Sequence, residues 1–187
     1  MSDTPSTHGI CTDTKSVPFY SNLAKPSKSQ QMHSAWVDLL SEFHWQWYIT
    51  HTFRESVHPE RADKLWRLWC SKINRELYGP RWFKKNKSVY WVRAIELQKR
   101  DVIHFHGLMS GIDALNQFEW MENWLNLDGI GTGIGLTGIS RIYNIDKGES
   151  TDAVISYVSK YVSKGGEIDL SPNMPAYSEF LRLRSLT

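Results

Sequence analysis

Two β-strand patterns joined by four polar residues constrain the fold of this chain more than any other feature. Residues 88–97 and 102–110 are rich in β-branched and aromatic side chains, whereas the four residues between them are Gln, Lys, Arg and Asp. Two such runs around a short polar connection predict an antiparallel β-hairpin. We therefore expect a sheet that contains at least one antiparallel pair of neighbouring strands.

Strands and helices alternate on both sides of this hairpin. Aromatic and β-branched residues indicate the strands, and apolar residues at three- and four-residue steps indicate the helices, one of which lies between Pro59 and Gly79. The predicted elements are strand 45–53, helix 59–79, strands 88–97 and 102–110, helix 114–127, strand 139–145 and helix 152–164. This order predicts an α+β fold with an antiparallel central sheet and helices, of the ferredoxin-like (RRM-like) type, rather than a doubly wound parallel sheet.

The length of 187 residues suits one folded domain with an arm. Residues 1–34 are rich in Ser, Thr, Lys, Gln and Pro, which predicts a flexible N-terminal arm, and residues 35–187 form the predicted domain. No apolar run approaches the roughly 18 residues of a membrane span, and the N-terminus lacks a signal-peptide core. Two cysteines, Cys11 and Cys70, are too few for a disulfide framework. We therefore expect a cytoplasmic protein with no membrane partner.

The second strand of the hairpin carries two histidines that could share a metal ion. In the segment Ile103-His104-Phe105-His106-Gly107 the side chains alternate between the two faces, so His104 and His106 lie on one face about 7 Å apart. Imidazoles at this spacing can bind one ion. The alternative interpretation of a His-x-His pair in a strand is two partly buried polar residues without a ligand.

Glu96, on the first strand of the hairpin, is the third candidate ligand. A connection with an odd number of residues, such as 99–101, would put Glu96 opposite His104 on the same face, whereas an even number would put it on the other face. One carboxylate and two imidazoles with open positions suit Mg²⁺ or Mn²⁺. The alternative is that Glu96 pairs with Arg93 or Lys99 at the sheet surface.

The last predicted helix carries two tyrosines and two lysines on one side. At about 100° per residue, Tyr157, Tyr161, Lys160 and Lys164 share one arc of the helix, while Ile155 and the valines share another. A phenol is a poor nucleophile until its target is polarised, which a metal ion and lysines beside a phosphate can do. This separation predicts tyrosines that are available for chemistry instead of being buried with the valines.

These motifs together resemble those of the HUH endonucleases, specifically the replication initiator (Rep) proteins of rolling-circle elements. Residues 48–53 resemble the first motif of that family, with His51 where an apolar residue is commoner. Residues 103–109 are similar to its His-hydrophobe-His motif. Residues 157–164 are similar to the two-tyrosine nucleophile motif of initiators of small single-stranded DNA bacteriophages. The resemblance extends over about residues 45–164.

The resemblance implies the HUH nuclease fold and a reaction on single-stranded DNA. In this family a tyrosine attacks a phosphodiester at a replication origin, which leaves a 5′-phosphotyrosine link and a free 3′-hydroxyl that can prime synthesis. A later 3′-hydroxyl rejoins the strand without ATP. By the same resemblance, Mg²⁺ or Mn²⁺ is held by Glu96, His104 and His106.

The resemblance also implies roles for the last helix and a set of partners. Tyr161 is expected to be the first nucleophile and Tyr157 the second, with Lys164 or Lys160 orienting the substrate or balancing charge. The expected partners are origin DNA, single-stranded or in a hairpin, and a helicase and a polymerase encoded by the host or by the element. The sequence contains no Walker motif, so any helicase would lie in another protein or in a longer parent chain.

A basic segment next to the hairpin is a candidate DNA-binding surface. Residues 72–100 contain nine Lys or Arg against two acids, and Trp82 and Phe83 are interleaved with the cations. Charge combined with stacking groups is typical of single-strand binding. The candidate residues are Arg81, Lys84, Lys85, Lys87 and Arg93. The alternative is a solvated loop over residues 81–88.

Two other classes of function compete with replication initiation. A HUH single-strand transposase or relaxase would use the same chemistry on another element. A non-catalytic module that binds single-stranded nucleic acid could use the ferredoxin-like sheet, but it would have no use for Glu96, His104 and His106 together. The glycine-rich residues 129–135 lack the Gly-Lys-Ser/Thr of a phosphate-binding loop and are interpreted as a flexible connector.

Overall fold

Helices cover both faces of one antiparallel sheet. The computed structural model describes residues 26–98, 101–127, 134–142, 151–163 and 166–175. The helices are α1 (Lys28–Ser41), α2 (Pro59–Tyr78), α3 (Gln117–Leu125) and α4 (Thr151–Ser163), with a short 3-10 helix at Trp82–Lys85. The strands are β1 (Trp47–Phe53), β2 (Tyr90–Leu97), β3 (Ile103–Ser110), β4 (Gly135–Arg141) and β5 (Glu167–Leu170).

The sheet has the strand order β4-β1-β3-β2-β5, and every neighbouring pair is antiparallel. The predicted α+β fold with an antiparallel central sheet is therefore confirmed. The edge strand β5 was not predicted, because its four residues are too few to show a clear alternation. None of the helices in the described part of the chain is long and apolar enough to cross a membrane.

The β2–β3 hairpin has the register that an odd-numbered connection requires. Glu96 pairs with His104 across the two strands. The backbone amide of Gln98 donates to the carbonyl of Val102 at 3.0 Å, which closes the hairpin around residues 99–101. Asp101 has a φ of 55°, a left-handed conformation that Asp tolerates in such turns. The prediction that Glu96 and His104 share one face is confirmed.

Tryptophans fill the core between the sheet and the pair α2 and α3. Trp66 and Trp69 of α2 are fully buried, as are Trp47 of β1 and Trp124 of α3. The apolar face predicted for α2 thus faces the sheet, and Pro59 and Gly79 lie at its two ends as expected. Burying a large apolar side chain contributes about 1.5–3 kcal/mol, so this cluster is a main source of stability.

The opposite face of the sheet is covered by α1 and α4. Ile155 and Val158 of α4 pack with Leu108 of β3 and with Trp36 and Leu40 of α1. Helix α1 begins at Lys28 with Ser27 as a capping-box residue, so the part of the expected arm from residue 28 onward is helical. Residues 1–25 of that arm lie outside the described residues.

Strand β4 begins earlier than predicted, inside the glycine-rich segment that we interpreted as a connector. Gly135 pairs with Phe53 of β1, and a Cβ at Gly135 would overlap the carbonyl oxygen of Thr52. The glycine therefore permits the close approach of β4 to β1. Residues 129–133 of the glycine run lie outside the described residues.

Candidate functional site

Five of the side chains nominated from the sequence gather on the sheet face covered by α1 and α4. The ring centroids of His104 and His106 are 4.4 Å apart. The Nε2 atom of His106 lies 3.3 Å from Oε2 of Glu96. The hydroxyl of Tyr161 lies 3.4 Å from that same carboxylate oxygen and 2.9 Å from the hydroxyl of Tyr157. A carboxylate, two imidazoles and two phenols thus share one small volume.

Helix α4 presents its two tyrosines to the histidines in different ways. The ring of Tyr161 stacks on that of His106 with centroids 4.7 Å apart and an interplanar angle of 15°. Tyr157, one turn earlier, lies edge-on to His106 at 5.3 Å. Tyr161 is only 3% exposed and belongs to the apolar cluster of Val158, whereas Tyr157 is 39% exposed. The prediction that both tyrosines avoid the buried face is therefore wrong for Tyr161, because the sheet reaches under that side of the helix.

Residues of β1 orient the two imidazoles. The Tyr48 hydroxyl lies 2.8 Å from Nδ1 of His106, and the Thr52 hydroxyl lies 2.7 Å from Nδ1 of His104. The side-chain amide of Gln98 also contacts Nδ1 of His104, at 2.8 Å. These three positioning residues were missed in the sequence analysis. Alternation along β1 puts Tyr48 and Thr52 on one face, but nothing local indicates that β1 is the neighbour of β3.

The donor atoms at this site fit a divalent cation. Histidines that bind metals generally hold their second ring nitrogen in a hydrogen bond, as Tyr48 and Thr52 do here. The Nε2 atom of His104 is buried and has no hydrogen-bond partner among the described residues. Within those residues, no three acidic, His or Cys side chains already stand in a metal-binding arrangement, since Oε2 of Glu96 contacts His106 directly. A bound cation would replace that contact.

Burial controls protonation at this site. It lowers the pKa of His106 to about 4, reinforced by the neighbouring His104 and opposed by Glu96. Burial also lowers the pKa of His104. Both rings are therefore neutral at pH 7 and can offer a lone pair. Burial, the hydrogen bond with Tyr157 and the charge of Glu96 hold the pKa of Tyr161 above its ordinary value, so this phenol is protonated at neutral pH.

A comparison with protein families now adds independent information. The family model of the replication-associated protein ORF2 matches residues 46–166. The chain belongs to this replication-associated protein family. The matched residues of this Rep-type protein begin just before β1, end just after α4 and include all five clustered side chains. Comparisons with curated proteins and with solved structures give no match.

The lysines of α4 complete the neighbourhood of the phenols. The Nζ atom of Lys160 lies 3.9 Å from the ring centroid of Tyr157 and 5.4 Å from that of Tyr161. At these distances the ammonium group interacts with both aromatic faces and brings positive charge close to the two hydroxyls. Lys164, nominated with it, lies outside the described residues.

A cavity of about 590 Å³ opens beside Glu96 and Tyr161 in this Rep protein. Its walls are mostly apolar and come from α2, from β2 and β3, and from the residues just before β5. Ile95 and Phe105 line the sheet side of the cavity. The volume and chemistry suit a flat apolar group that lies next to the clustered hydroxyls and carboxylate.

Four of the nominated DNA-binding residues lie far from this cluster. Arg81, Lys84, Lys85 and Lys87 are exposed on and around the 3-10 helix, which precedes β2. Glu96 lies near the other end of β2, about 20 Å away by the rise of a strand. The structure therefore does not bring these cations to the clustered tyrosines and histidines.

The nomination of Arg93 as a DNA-binding residue is wrong. Its side chain is buried on the face of the sheet opposite Glu96, and the residue is 2% exposed. The guanidinium pairs with Asp63 at 2.8 Å and Asp169 at 3.4 Å, and it lies 4.6 Å from the ring centroid of Phe105. Residues three apart on a strand point to opposite faces, so the alternative Glu96–Arg93 ion pair is also excluded.

Proposed function

We propose that this Rep protein nicks and rejoins single-stranded DNA at a replication origin by tyrosine transesterification that depends on Mg²⁺ or Mn²⁺. The observation that carries the proposal is the Tyr161 hydroxyl 3.4 Å from the carboxylate of Glu96, which in turn contacts His106. A nucleophile and candidate metal ligands thus lie within one contact of each other. Membership of a replication-associated family favours replication over transposition or conjugation.

Glu96, His104 and His106 would hold the cation. The support is the chemistry of the donors, one carboxylate and two neutral imidazoles, together with the buried Nε2 of His104 that has no partner among the described residues. When bound, a divalent cation supplies Lewis-acid polarisation of a phosphate oxygen and balances developing negative charge.

The residues of α4 carry out the strand transfer. The Tyr161 oxygen attacks the phosphorus, the new O–P bond forms, and the bond from phosphorus to the 3′-oxygen breaks with its electron pair on that oxygen. The phenolic proton is taken up, in the net reaction, by the released 3′-hydroxyl. Because one phosphoester replaces another, a 3′-hydroxyl can later attack the phosphotyrosine and restore the strand.

The neighbours of Tyr161 have supporting roles in this proposal. Tyr157 accepts a hydrogen bond from the Tyr161 hydroxyl, orients it, and acts as the second nucleophile while Tyr161 holds DNA. Lys160 and Lys164 balance the charge that develops on the phenol oxygen and the phosphate. The apolar cavity beside Glu96 receives the nucleotide next to the cleaved bond. A helicase and a polymerase from the host or the element act on the resulting 3′ end.

A denaturing gel tests the proposal directly. The protein is incubated with a library of labelled single-stranded oligonucleotides and Mn²⁺, with EDTA in the parallel reaction. We expect a covalent protein–DNA adduct only in the presence of metal, and adding a second oligonucleotide with a free 3′-hydroxyl should yield a joined strand. Folded protein that forms no adduct with any member of the library would support the non-catalytic binding module instead.

A further inference from the structure

A second cavity lies at the other end of β2, where the 3-10 helix faces α2. Its volume is about 380 Å³. Cys70 and Asn74 of α2 form part of its floor, and the residues that follow β5 close one side. Asn74 is already engaged, since its Oδ1 accepts the backbone amide of Val89 at 2.8 Å. This cavity plays no part in the tyrosine chemistry, because it shares no lining residue with the catalytic cluster.

Aromatic rings form the open walls of this cavity. Trp82, Phe83 and Trp91 all line it, and the rings of Trp82 and Phe83 meet at 89° with centroids 6.1 Å apart. Phe83 is 60% exposed, although leaving such a ring in water has a free-energy cost. A large exposed aromatic at the mouth of a cavity indicates a surface that binds a flat apolar partner.

The charge around the cavity is positive. Residues 77–92 contain four Lys or Arg and no acid. Lys87 lines the cavity directly, and Arg81 and Lys84 lie on or beside the same 3-10 helix. A partner that is flat and aromatic at one point and anionic along its length matches this surface. Single-stranded DNA has both properties, because its bases are unpaired and its phosphates are charged.

The polar groups at the rim suit a base edge. Asn86 and Asn173 line the cavity, and side-chain amides can both donate and accept hydrogen bonds with the edges of unpaired bases. Asn86 has a φ of 51° at the end of the 3-10 helix, so the chain turns back at the cavity mouth. The volume accommodates one nucleotide rather than a longer stretch.

We propose that this cavity binds one unpaired nucleotide of the DNA strand, with its base against Phe83 and its phosphate beside Lys87. This site rests on the proposed function, since it holds the same substrate at a point about 20 Å from the tyrosines. It anchors the strand away from the cleaved bond. DNA affinity therefore depends on residues that have no role in the chemical step.

Anisotropy with a fluorescent single-stranded oligonucleotide of about 16 nucleotides tests this site. The measurement is made on the full chain in EDTA, so that no cleavage occurs. We expect Phe83→Ala to raise the Kd about tenfold. The matched control is Phe118→Ala, which removes a similarly exposed phenylalanine from the start of α3 and should leave the Kd unchanged. Both changes affect exposed side chains, and far-UV circular dichroism verifies that the variants are folded.

The salt dependence separates the phosphate contact from stacking. Lys87→Gln should lower the slope of log affinity against log salt by about 0.7, the value for one phosphate contact on a single strand. Lys64→Gln, an exposed lysine of α2 outside the cavity, should leave the slope unchanged. A duplex of the same sequence should compete poorly because its bases are paired. An unchanged Kd for Phe83→Ala, or equal competition by the duplex, would overturn the nucleotide site.

Crosslinking identifies the residues in contact with the base. An oligonucleotide that contains 5-iodouracil should crosslink on irradiation to the peptide that holds Trp82 and Phe83. Crosslinks found only elsewhere would contradict the proposal. The two proposals fail in different ways. Normal adduct formation without dependence of binding on Phe83 contradicts this site alone, and Phe83-dependent binding without any adduct contradicts the nuclease alone.

Discussion

The hydroxyl of Tyr48 lies 2.8 Å from Nδ1 of His106. This contact joins the central pair of strands, β1 and β3, on the face that carries the catalytic cluster. It leaves Nε2 of His106 directed at Glu96, 3.3 Å away. When the Nδ1–H donates to the Tyr48 oxygen, Nε2 holds its lone pair and can bind a cation. Tyr48 is thus a positioning residue, because it acts on the chemistry through His106.

Removing the Tyr48 hydroxyl should weaken cation binding. We expect Tyr48→Phe to reduce Mn²⁺ affinity about 10- to 100-fold, since the ring still fills its place but no longer orients His106. Isothermal titration with Mn²⁺ measures this. Tyr90→Phe, a partly buried tyrosine on the same sheet face beyond the cluster, is the control and should bind Mn²⁺ normally. Equal affinities for the two variants would remove Tyr48 from the site.

The two tyrosines of α4 should differ in adduct formation. Tyr161 lies nearer the carboxylate of Glu96, so we expect Tyr161→Phe to abolish the first covalent adduct. Tyr157→Phe should still form the adduct but lose a second cleavage while DNA is attached. Gel analysis of single and double variants, with mass spectrometry of the linked peptide, distinguishes these outcomes. An intact adduct in Tyr161→Phe together with its loss in Tyr157→Phe would reverse the order of the nucleophiles.

His51 should make the fold sensitive to acid. Its ring is fully buried, stacks on Trp124 at 3.9 Å and bonds the Thr137 hydroxyl through Nδ1. Burial lowers the pKa of His51 well below its ordinary value. Below pH of about 6.5 the unfolded state therefore binds a proton that the folded state does not, and the free energy of unfolding falls by up to about 1.4 kcal/mol per pH unit.

Urea unfolding across this pH range checks the effect of His51. His51→Phe keeps an aromatic ring against Trp124 and should lessen the loss of stability between pH of about 6.5 and 5 by up to one proton. His104 and His106 have lowered pKa values too, so part of the acid sensitivity will persist. His44→Phe, at an exposed histidine, is the control. A pH dependence unaltered by His51→Phe would contradict this account.

Arg93 should matter for stability and not for DNA. Arg93→Met removes a buried guanidinium that pairs with Asp63 and Asp169, and we expect a loss of about 3 kcal/mol in the free energy of unfolding. Arg67→Met is a matched control, because Arg67 pairs with the same two acids from the surface and its loss should cost about 1 kcal/mol or less. The folded Arg93→Met protein should bind single-stranded DNA normally, and a clear loss of affinity would restore Arg93 to the DNA-binding surface.

Much of the catalytic cluster could be predicted because its geometry is local. Alternation along one strand puts His104 and His106 on one face, and the odd-numbered connection puts Glu96 opposite His104. The four-residue step from Tyr157 to Tyr161 puts both phenols on one side of α4. The opposite orientation of Arg93 was also open to prediction, since it lies three residues from Glu96 on the same strand.

By itself, the sequence determined the elements, the register of the hairpin and the residues that share each face, because strand and helix periodicity depend only on neighbouring residues. Only the tertiary structure decided that β1 lies beside β3, so that Tyr48 reaches His106, and that Tyr161 is buried while Tyr157 is exposed. It also separated the basic 3-10 helix from the tyrosines by most of the length of β2. These relations depend on which strands pair and where helices dock, and long-range packing selects those partners among residues far apart in the chain.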